Sequence, residues 1–282
     1  MIFTKFEGCG NHFALFDLID QHSFGDQIEQ SIVRICDPHF GIGADGILLV
    51  KKVVDTRVHG ALAHVNYEMV IYNADGSLAQ MCGNGLRCVI AYLCQQRNLL
   101  SNDQPSTSIL TGAGPLKVFR TTNDGEHLFG VEMGWPMEKG VARFKSSEMK
   151  IYSFGNPHIV TYDQELCEQK LFIADTLQSL VPDGVNVSFA VQTQENEIEL
   201  KVFERGCGWT LACGTGACAS VYQGLVEGRF HEGQTVTVRL PGGTLRIEIQ
   251  AEGLTMWGPA REIYRGELSR QFLTALEKAQ AK

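Results

Sequence analysis

Two short segments carry residue types suited to acid–base chemistry: Met81-Cys82-Gly83-Asn84-Gly85 and Ala212-Cys213-Gly214-Thr215-Gly216. Each opens a stretch with helical apolar spacing, so the pattern predicts a thiol and unpaired backbone N–H groups at a helix N-terminus. That end of a helix favours negative charge, which lowers a cysteine pKa and also holds a carboxylate. The flanking glycines are expected to give the backbone freedom to wrap a ligand. A single such cysteine is as readily a small buried hydrophobe. Two of them suggest thiol or thiolate groups that converge from opposite sides on one anionic substrate. A base on one face of a carbon and an acid on the other would invert a stereocentre without a cofactor. The N–H groups of Gly83, Asn84, Gly214 and Thr215 are the expected donors to a substrate carboxylate as charge develops on it.

The elements around these segments recur in the same order. Gly10-Asn11, Asp45-Gly46 before Ile47-Leu48-Leu49-Val50, Asn73 and Cys82 are followed by Gly155-Asn156, Asp183-Gly184 before Val185-Asn186-Val187, Glu204 and Cys213. Asn73 and Glu204 each stand nine residues before their cysteine. Ordered matches of this kind point to an internal duplication. β signals dominate between the marks, over 46–54, 64–72, 108–120, 197–203, 235–240 and 244–250, with Pro241-Gly242-Gly243 joining the last two as a hairpin. Helical spacing is clearest after each Cys-Gly segment, and the first of these helices is apolar nearly all round, the mark of a buried helix. The C-terminal stretch 268–282, with Phe272, Leu273 and Leu276, reads as an amphipathic closing helix.

The fold class this predicts is α/β, of the α+β type. Two pseudo-symmetric domains each curl a mostly antiparallel or mixed sheet around a central helix, with the active site expected in the cleft between them. The halves are expected at 1–114, with 262–282 packing back on it, and at 115–261.

Composition narrows the partners. The chain has 282 residues, 44% hydrophobic and 20% charged, which is ordinary for a globular protein. A net charge of −8 argues against a nucleic-acid partner. No run approaches the length of a membrane span, and the first ten residues hold no apolar signal-peptide core, so a cytoplasmic protein is expected. Nine cysteines, an odd number, argue for free thiols in place of a disulfide framework. Without a C-x2-C pair or an H-x3–5-H partner no metal site is expected. The missing C-x-x-C also disfavours a redox role for Cys82 and Cys213. No characteristic segment for a pyridoxal cofactor is present, and no cofactor is expected.

The segments Phe3-Thr4-Lys5, Gly10-Asn11, Phe40-Gly41-Ile42-Gly43-Ala44-Asp45-Gly46, Asn73-Ala74-Asp75-Gly76-Ser77, Met81 to Cys88, Gly155-Asn156-Pro157-His158, Asn186-Val187 and Glu204-Arg205-Gly206 with Ala212 to Gly216 together resemble the diaminopimelate epimerases. The matches run in order from residue 3 to Gly258-Pro259, over nearly the whole chain. The resemblance implies a cofactor-independent two-base enzyme that interconverts LL- and meso-diaminopimelate for lysine and cell-wall precursors, and a homodimer. It makes Cys82 and Cys213 the acid–base pair and Asn11, Asn73, Asn156, Asn186, Glu204 and Arg205 substrate binders. Diaminopimelate carries an amino acid group at each end, of which one reacts. Arg205 suits the carboxylate of the other end and Glu204 its ammonium. Asn beside Gly also serves turns. His158 is expected to support the site, and Asp75 to be a turn residue.

The chain departs from the family at Trp209, where Glu is frequent, at His12, where Asp is frequent, and at Pro38, where Arg is frequent. Trp209, close to Cys213 in sequence, is expected to affect substrate selectivity. The rival readings are a broader amino acid racemase, for instance one acting on glutamate, a proline racemase-like enzyme, and a non-catalytic amino acid receptor. Proline racemases usually carry His where Asn84 stands and an acidic-Arg-Ser-Pro run before the second cysteine, and this chain has neither.

Overall fold

The computed structural model describes residues 1–20, 31–53, 65–101, 104–123, 125–145 and 147–280. The chain forms two compact units, one of 1–129 with 259–282 and one of 130–258.

In the first unit β1 (Ile2–Gly8) and β2 (Asn11–Asp17) make a hairpin through Cys9 and Gly10. Both turn residues have positive φ, 56° and 82°, the geometry of a two-residue turn that follows the strand twist. β2 then runs parallel to β3 (Gly46–Lys52), which requires a crossover, and the described part of that crossover contains α1 (Ile32–Cys36). β3 pairs antiparallel with β4 (Tyr67–Asn73), and β5 (Leu78–Ala79) folds back on β4. A second crossover, α2 (Gly83–Arg97), leads to β6 (Ser106–Thr111), parallel to β4 and hairpinned to β7 (Gly114–Asn123).

The second unit follows the same plan. β8 (Glu126–Gly134) leads from one unit into the other, and β9 (Met137–Phe144) lies against β10 (Ser147–Ser153). β10 and β11 (Pro157–Thr161) form an antiparallel pair, and β11 runs parallel to β12 (Asn186–Gln194) after α3 (Gln164–Glu168) and α4 (Lys170–Gln178). β13 (Glu197–Glu204) is antiparallel to β12, β14 (Gly208–Thr210) folds back on β13, and α5 (Gly214–Val226) crosses over to β15 (Thr235–Leu240). β16 (Gly243–Gln250) and β17 (Gly253–Gly258) complete an antiparallel run. The matching order of antiparallel and parallel pairings is the duplication read from the sequence. Finally β18 (Arg261–Glu267) pairs with β1, and α6 (Arg270–Gln280) closes the first unit.

β3 is covered on both faces, which explains why Ile47-Leu48-Leu49-Val50 is apolar without alternation. Leu48, Ile71 and Phe13 face α2 near Gly85, while Ile47, Leu49, Ala14 and Phe16 belong to a cluster with Ile32 and Ile35 of α1 and Leu276 of α6. Every residue of α2 from Gly83 to Cys94 is buried, as its all-round apolar character predicts. The region 108–120, read as one β stretch, is two strands with a turn at Gly112-Ala113. Val54, His64, Ala281 and Lys282, at the edges of expected elements, lie outside the described residues. Among the described residues no helix is long and apolar enough to cross a membrane.

Candidate active site

Each Cys-Gly segment does open a helix. Cys82 is the N-cap of α2, in extended conformation (φ −142°, ψ 116°), and its sulfur accepts the Gly85 N–H at 3.5 Å. Cys213 is the N-cap of α5 with nearly the same backbone (φ −131°, ψ 109°). Gly83 and Asn84, like Gly214 and Thr215, thus occupy the first helical positions, at the positive end of the helix dipole.

The glycines of these segments also have a packing role. None of the four next to the cysteines has positive φ. A Cβ on Gly85 would come within 2.9 Å of Leu48 Cδ2, and one on Gly216 within 3.1 Å of Val202 Cγ2 and 3.3 Å of the Cys213 sulfur. Gly85 and Gly216 thus let each helix N-terminus press against its sheet, a close-packing role for a residue without a Cβ.

In the first unit Asn11, at the start of β2, donates from Nδ2 to Asp45 Oδ2 at 2.7 Å. Its Oδ1 therefore faces the helix, where it accepts from the Cys82 thiol at 3.9 Å and from Asn84 Nδ2 at 3.5 Å. Asp45 also takes the His12 N–H at 2.8 Å. The His12 ring lies 3.1 Å from Lys5 Nζ, and Lys5 in turn donates to the Gly43 carbonyl. Asn73 ends β4 opposite Gly46, is exposed, and donates to Ser77 Oγ at 2.9 Å. Its tie to the others is indirect, through the Ala74 N–H on the Asp45 carbonyl. Asp75 accepts from both the backbone and the hydroxyl of Ser77, as a turn residue would.

The second unit gathers its expected residues into one hydrogen-bonded chain. His158 on β11 is fully buried, and its Nε2 lies 3.1 Å from Asn156 Oδ1, 2.9 Å from Thr215 Oγ1 and 3.4 Å from Asn186 Nδ2. Burial pushes its pKa down to about 3, so the ring is neutral. Asn186 Oδ1 accepts the Arg205 backbone N–H at 2.8 Å. The Arg205 side chain is exposed and folds over the Gly184 turn, donating to the Asp183 carbonyl at 3.0 Å. Glu204 is engaged at both oxygens, by Thr210 Oγ1 at 2.6 Å and by the Cys213 thiol at 3.1 Å. Thr215 Oγ1 lies 3.5 Å from the same sulfur.

This neighbourhood reverses the expectation for Cys213. Burial and then the Glu204 carboxylate push its pKa well above the usual thiol value, against the smaller downward pull of Thr215 and the Gly216 N–H. Cys213 is held as a thiol that donates its proton to Glu204, so the helix N-terminus is outweighed.

Trp209 also differs from expectation. Its partner across the β13–β14 ladder is Phe203, whereas Thr210 and Glu204 lie on the other face of the ribbon. The indole, exposed at its outer face, packs on Phe203 and Phe189 at ring separations of 5.2 and 5.7 Å, and those two rings belong to the cluster under α3 and α4. It is directed away from Cys213 and leaves the selectivity argument without a contact. Asp45, Thr210 and Arg87 are the residues that sequence reasoning left unassigned here. Only Asp45 had given a signal, through its place in the repeat.

The family model for diaminopimelate epimerase matches residues 3–137 and 151–263. Among relatives, the diaminopimelate epimerase of Pelotomaculum thermopropionicum is 34% identical over 95% of this chain and 98% of its own length. That of Halothermothrix orenii is 35% identical over 94% and 97%. Among solved structures, a protein described as a predicted epimerase from Pseudomonas aeruginosa superimposes with a TM-score of 0.71, covering 95% of this chain and 98% of its own, at 13% identity. That last likeness bears on the fold alone, which is the mixed α/β fold expected from the sequence. With matched N-cap cysteines on a duplicated framework and these full-length relatives, the chain belongs to the diaminopimelate epimerase family.

Proposed function

We propose that this chain interconverts LL- and meso-diaminopimelate, with Cys82 and Cys213 as its acid–base pair. The observation that carries the reading is the Cys213 thiol, buried at the head of α5 and donating to Glu204. A thiol held protonated is suited to deliver a proton to a carbanion-like centre, and the other cysteine, as thiolate, to remove the α-hydrogen. In the reverse direction the two exchange roles. One proton leaves the carbon and one returns, so no electrons are gained or lost. Developing charge on the substrate carboxylate is met by fixed N–H dipoles of Gly83, Asn84, Gly214 and Thr215.

In place of the ammonium of the non-reacting end, for which the sequence suggested it, Glu204 fits the reacting end, since both its oxygens are engaged near Cys213. Arg205, exposed and carrying a planar guanidinium fork, fits the carboxylate of the non-reacting end. Asn73, Asn156 and Asn186 are the further polar groups for that end, and Asn11 and His158 orient the groups around each sulfur. Family membership also supports a cytoplasmic homodimer, checked by molar mass in solution.

The test is incubation of the reduced enzyme with LL-diaminopimelate in D2O, with glutamate and proline as controls. The expected outcome is α-deuterium uptake and inversion with diaminopimelate only. Cys82→Ala and Cys213→Ala should each lower epimerisation by at least ~10²-fold, the usual worth of a positioned acid or base. Full activity in either variant would overturn the pairing.

A further inference from the structure

Arg87 lies one turn into α2 and, among the described residues, is the largest side chain that is fully buried. Its Nη2 donates to Asn84 Oδ1 at 3.0 Å and to the Cys9 sulfur at 3.7 Å, and its Nε to the Pro259 carbonyl at 3.3 Å. β1 closes over it at Gly8, where a Cβ would stand 3.5 Å from Nη2 and 3.4 Å from the Asn84 carbonyl oxygen. Burying a guanidinium is costly, and a purely apolar contact would fill the same volume more cheaply.

What the cation supplies is direction. An amide side chain can present either its oxygen or its nitrogen, and its partners decide which. Arg87 is a donor only, so Asn84 must turn Oδ1 toward it and Nδ2 toward Asn11. At the far end Asp45 is an acceptor, so Asn11 must turn Nδ2 toward Asp45 and Oδ1 toward Cys82 and Asn84. Two charged ends of opposite sign thus set the orientation of both amides between them. We propose that Arg87 is a positioning residue that acts through Asn84 and Asn11 to fix the hydrogen-bonding face presented to the Cys82 sulfur. This rests on the assignment of Cys82 to the reaction.

The charged and titratable groups around this chain of hydrogen bonds include Arg87 and Cys88 on α2, Lys5, Cys9, Glu7 and His12 on the β1–β2 hairpin, Arg261 on β18, and Asp45 before β3. With Asn84 Nδ2 donating to it, Asn11 Oδ1 is shared and binds the Cys82 proton less strongly. Loss of Arg87 removes a nearby cation and releases Asn84, and both effects favour the thiol over the thiolate.

The experiment follows the pH dependence of iodoacetamide alkylation at Cys82 and Cys213, resolved by peptide mass, in the full-length wild type, Arg87→Met, Asn84→Ala and the double variant. The expected result is an upward shift of the Cys82 midpoint by ~0.5–1 pH unit in Arg87→Met. A smaller shift in the same direction is expected in Asn84→Ala, and none beyond Arg87→Met in the double variant. The Cys213 profile should stay in place. An unshifted Cys82 midpoint in either single variant, additive shifts, or equal shifts at both cysteines would overturn the inference. If Arg87→Met fails to fold, Asn84→Ala, which keeps the cation and breaks the link, decides alone. Activity of Cys82→Ala separates the two claims. If that variant is dead and the midpoints are unmoved, only the role of Arg87 falls; if it is active, the assignment of Cys82 falls.

Discussion

The carboxylate of Glu204 sits 3.1 Å from the Cys213 sulfur and, after burial itself, is the main influence that holds the thiol protonated. Glu204→Gln keeps the shape and removes the charge, so it should move the Cys213 pKa downward. Thiolate absorbance or site-resolved alkylation against pH reads the change, and an unmoved or higher midpoint would show that Glu204 does not govern the sulfur. His158 gives a second pH effect, on stability. Its folded pKa, about 3, is below the ordinary 6.5, so under acid the unfolded chain takes up a proton that the folded chain refuses. The associated stability is complete above about pH 6.5 and is lost as pH falls toward 3, at about 1.4 kcal/mol per pH unit. Urea unfolding at pH 7 and pH 5 should therefore show a smaller loss in His158→Gln than in wild type. Equal losses would mean that His158 is not the buried neutral group. The cysteines were legible in the sequence because residue type and helix spacing both marked them. The contact between Glu204 and Cys213 was not, since it depends on β14 folding back to bring Thr210 and the helix start beside β13.

At the scale of elements, α2 and α5 are positioned by a glycine in their first turn. Ala at position 216 would gain up to ~1 kcal/mol in helix propensity. Its Cβ would also meet Val202 at 3.1 Å and the Cys213 sulfur at 3.3 Å, and overpacking of this kind costs about 1–3 kcal/mol. Gly216→Ala should thus melt within a few degrees of wild type, while kcat falls about tenfold or more because the sulfur is displaced. Unchanged kcat would show that this packing does not position Cys213. The sequence marked these glycines, but for ligand wrapping, because nothing local says which sheet residue faces them. Trp209 shows the same limit. Nearness to Cys213 in the chain suggested a shared site, but alternation along β14 turns the indole to the opposite face of the ribbon. Elements with strong local periodicity, such as α2 and the β15–β16 hairpin, were readable. Face and register were not, because they belong to the partner strand.

Over the whole molecule, two runs of strands and helices repeat one pairing order, and the ordered Asn, Asp-Gly and Cys marks sufficed to reveal it. The expectation that 262–282 packs back on the first half named the segment that closes it, but not the strand register. β18 follows β17 of the second unit in sequence but pairs with β1, from Ile2 opposite Glu267 to Glu7 opposite Arg261. α6 then lays Leu276, with Phe272 and Leu273, on the cluster that contains Phe3 and Phe16. The first unit is therefore assembled from both ends of the chain. Pairing across so long a loop has a loop-closure cost that grows only slowly with length. Cooperative opening should follow contacts and not sequence order. Amides of β18 are thus expected to exchange with hydrogen together with those of β1 and α2 under rising denaturant, and apart from those of β16 and β17, although Gly258 and Arg261 are near neighbours in the chain. Native-state hydrogen exchange resolved by peptide mass can measure this. If β18 opens in step with β17 while β1 stays protected, then the two compact units do not act as separate cooperative bodies.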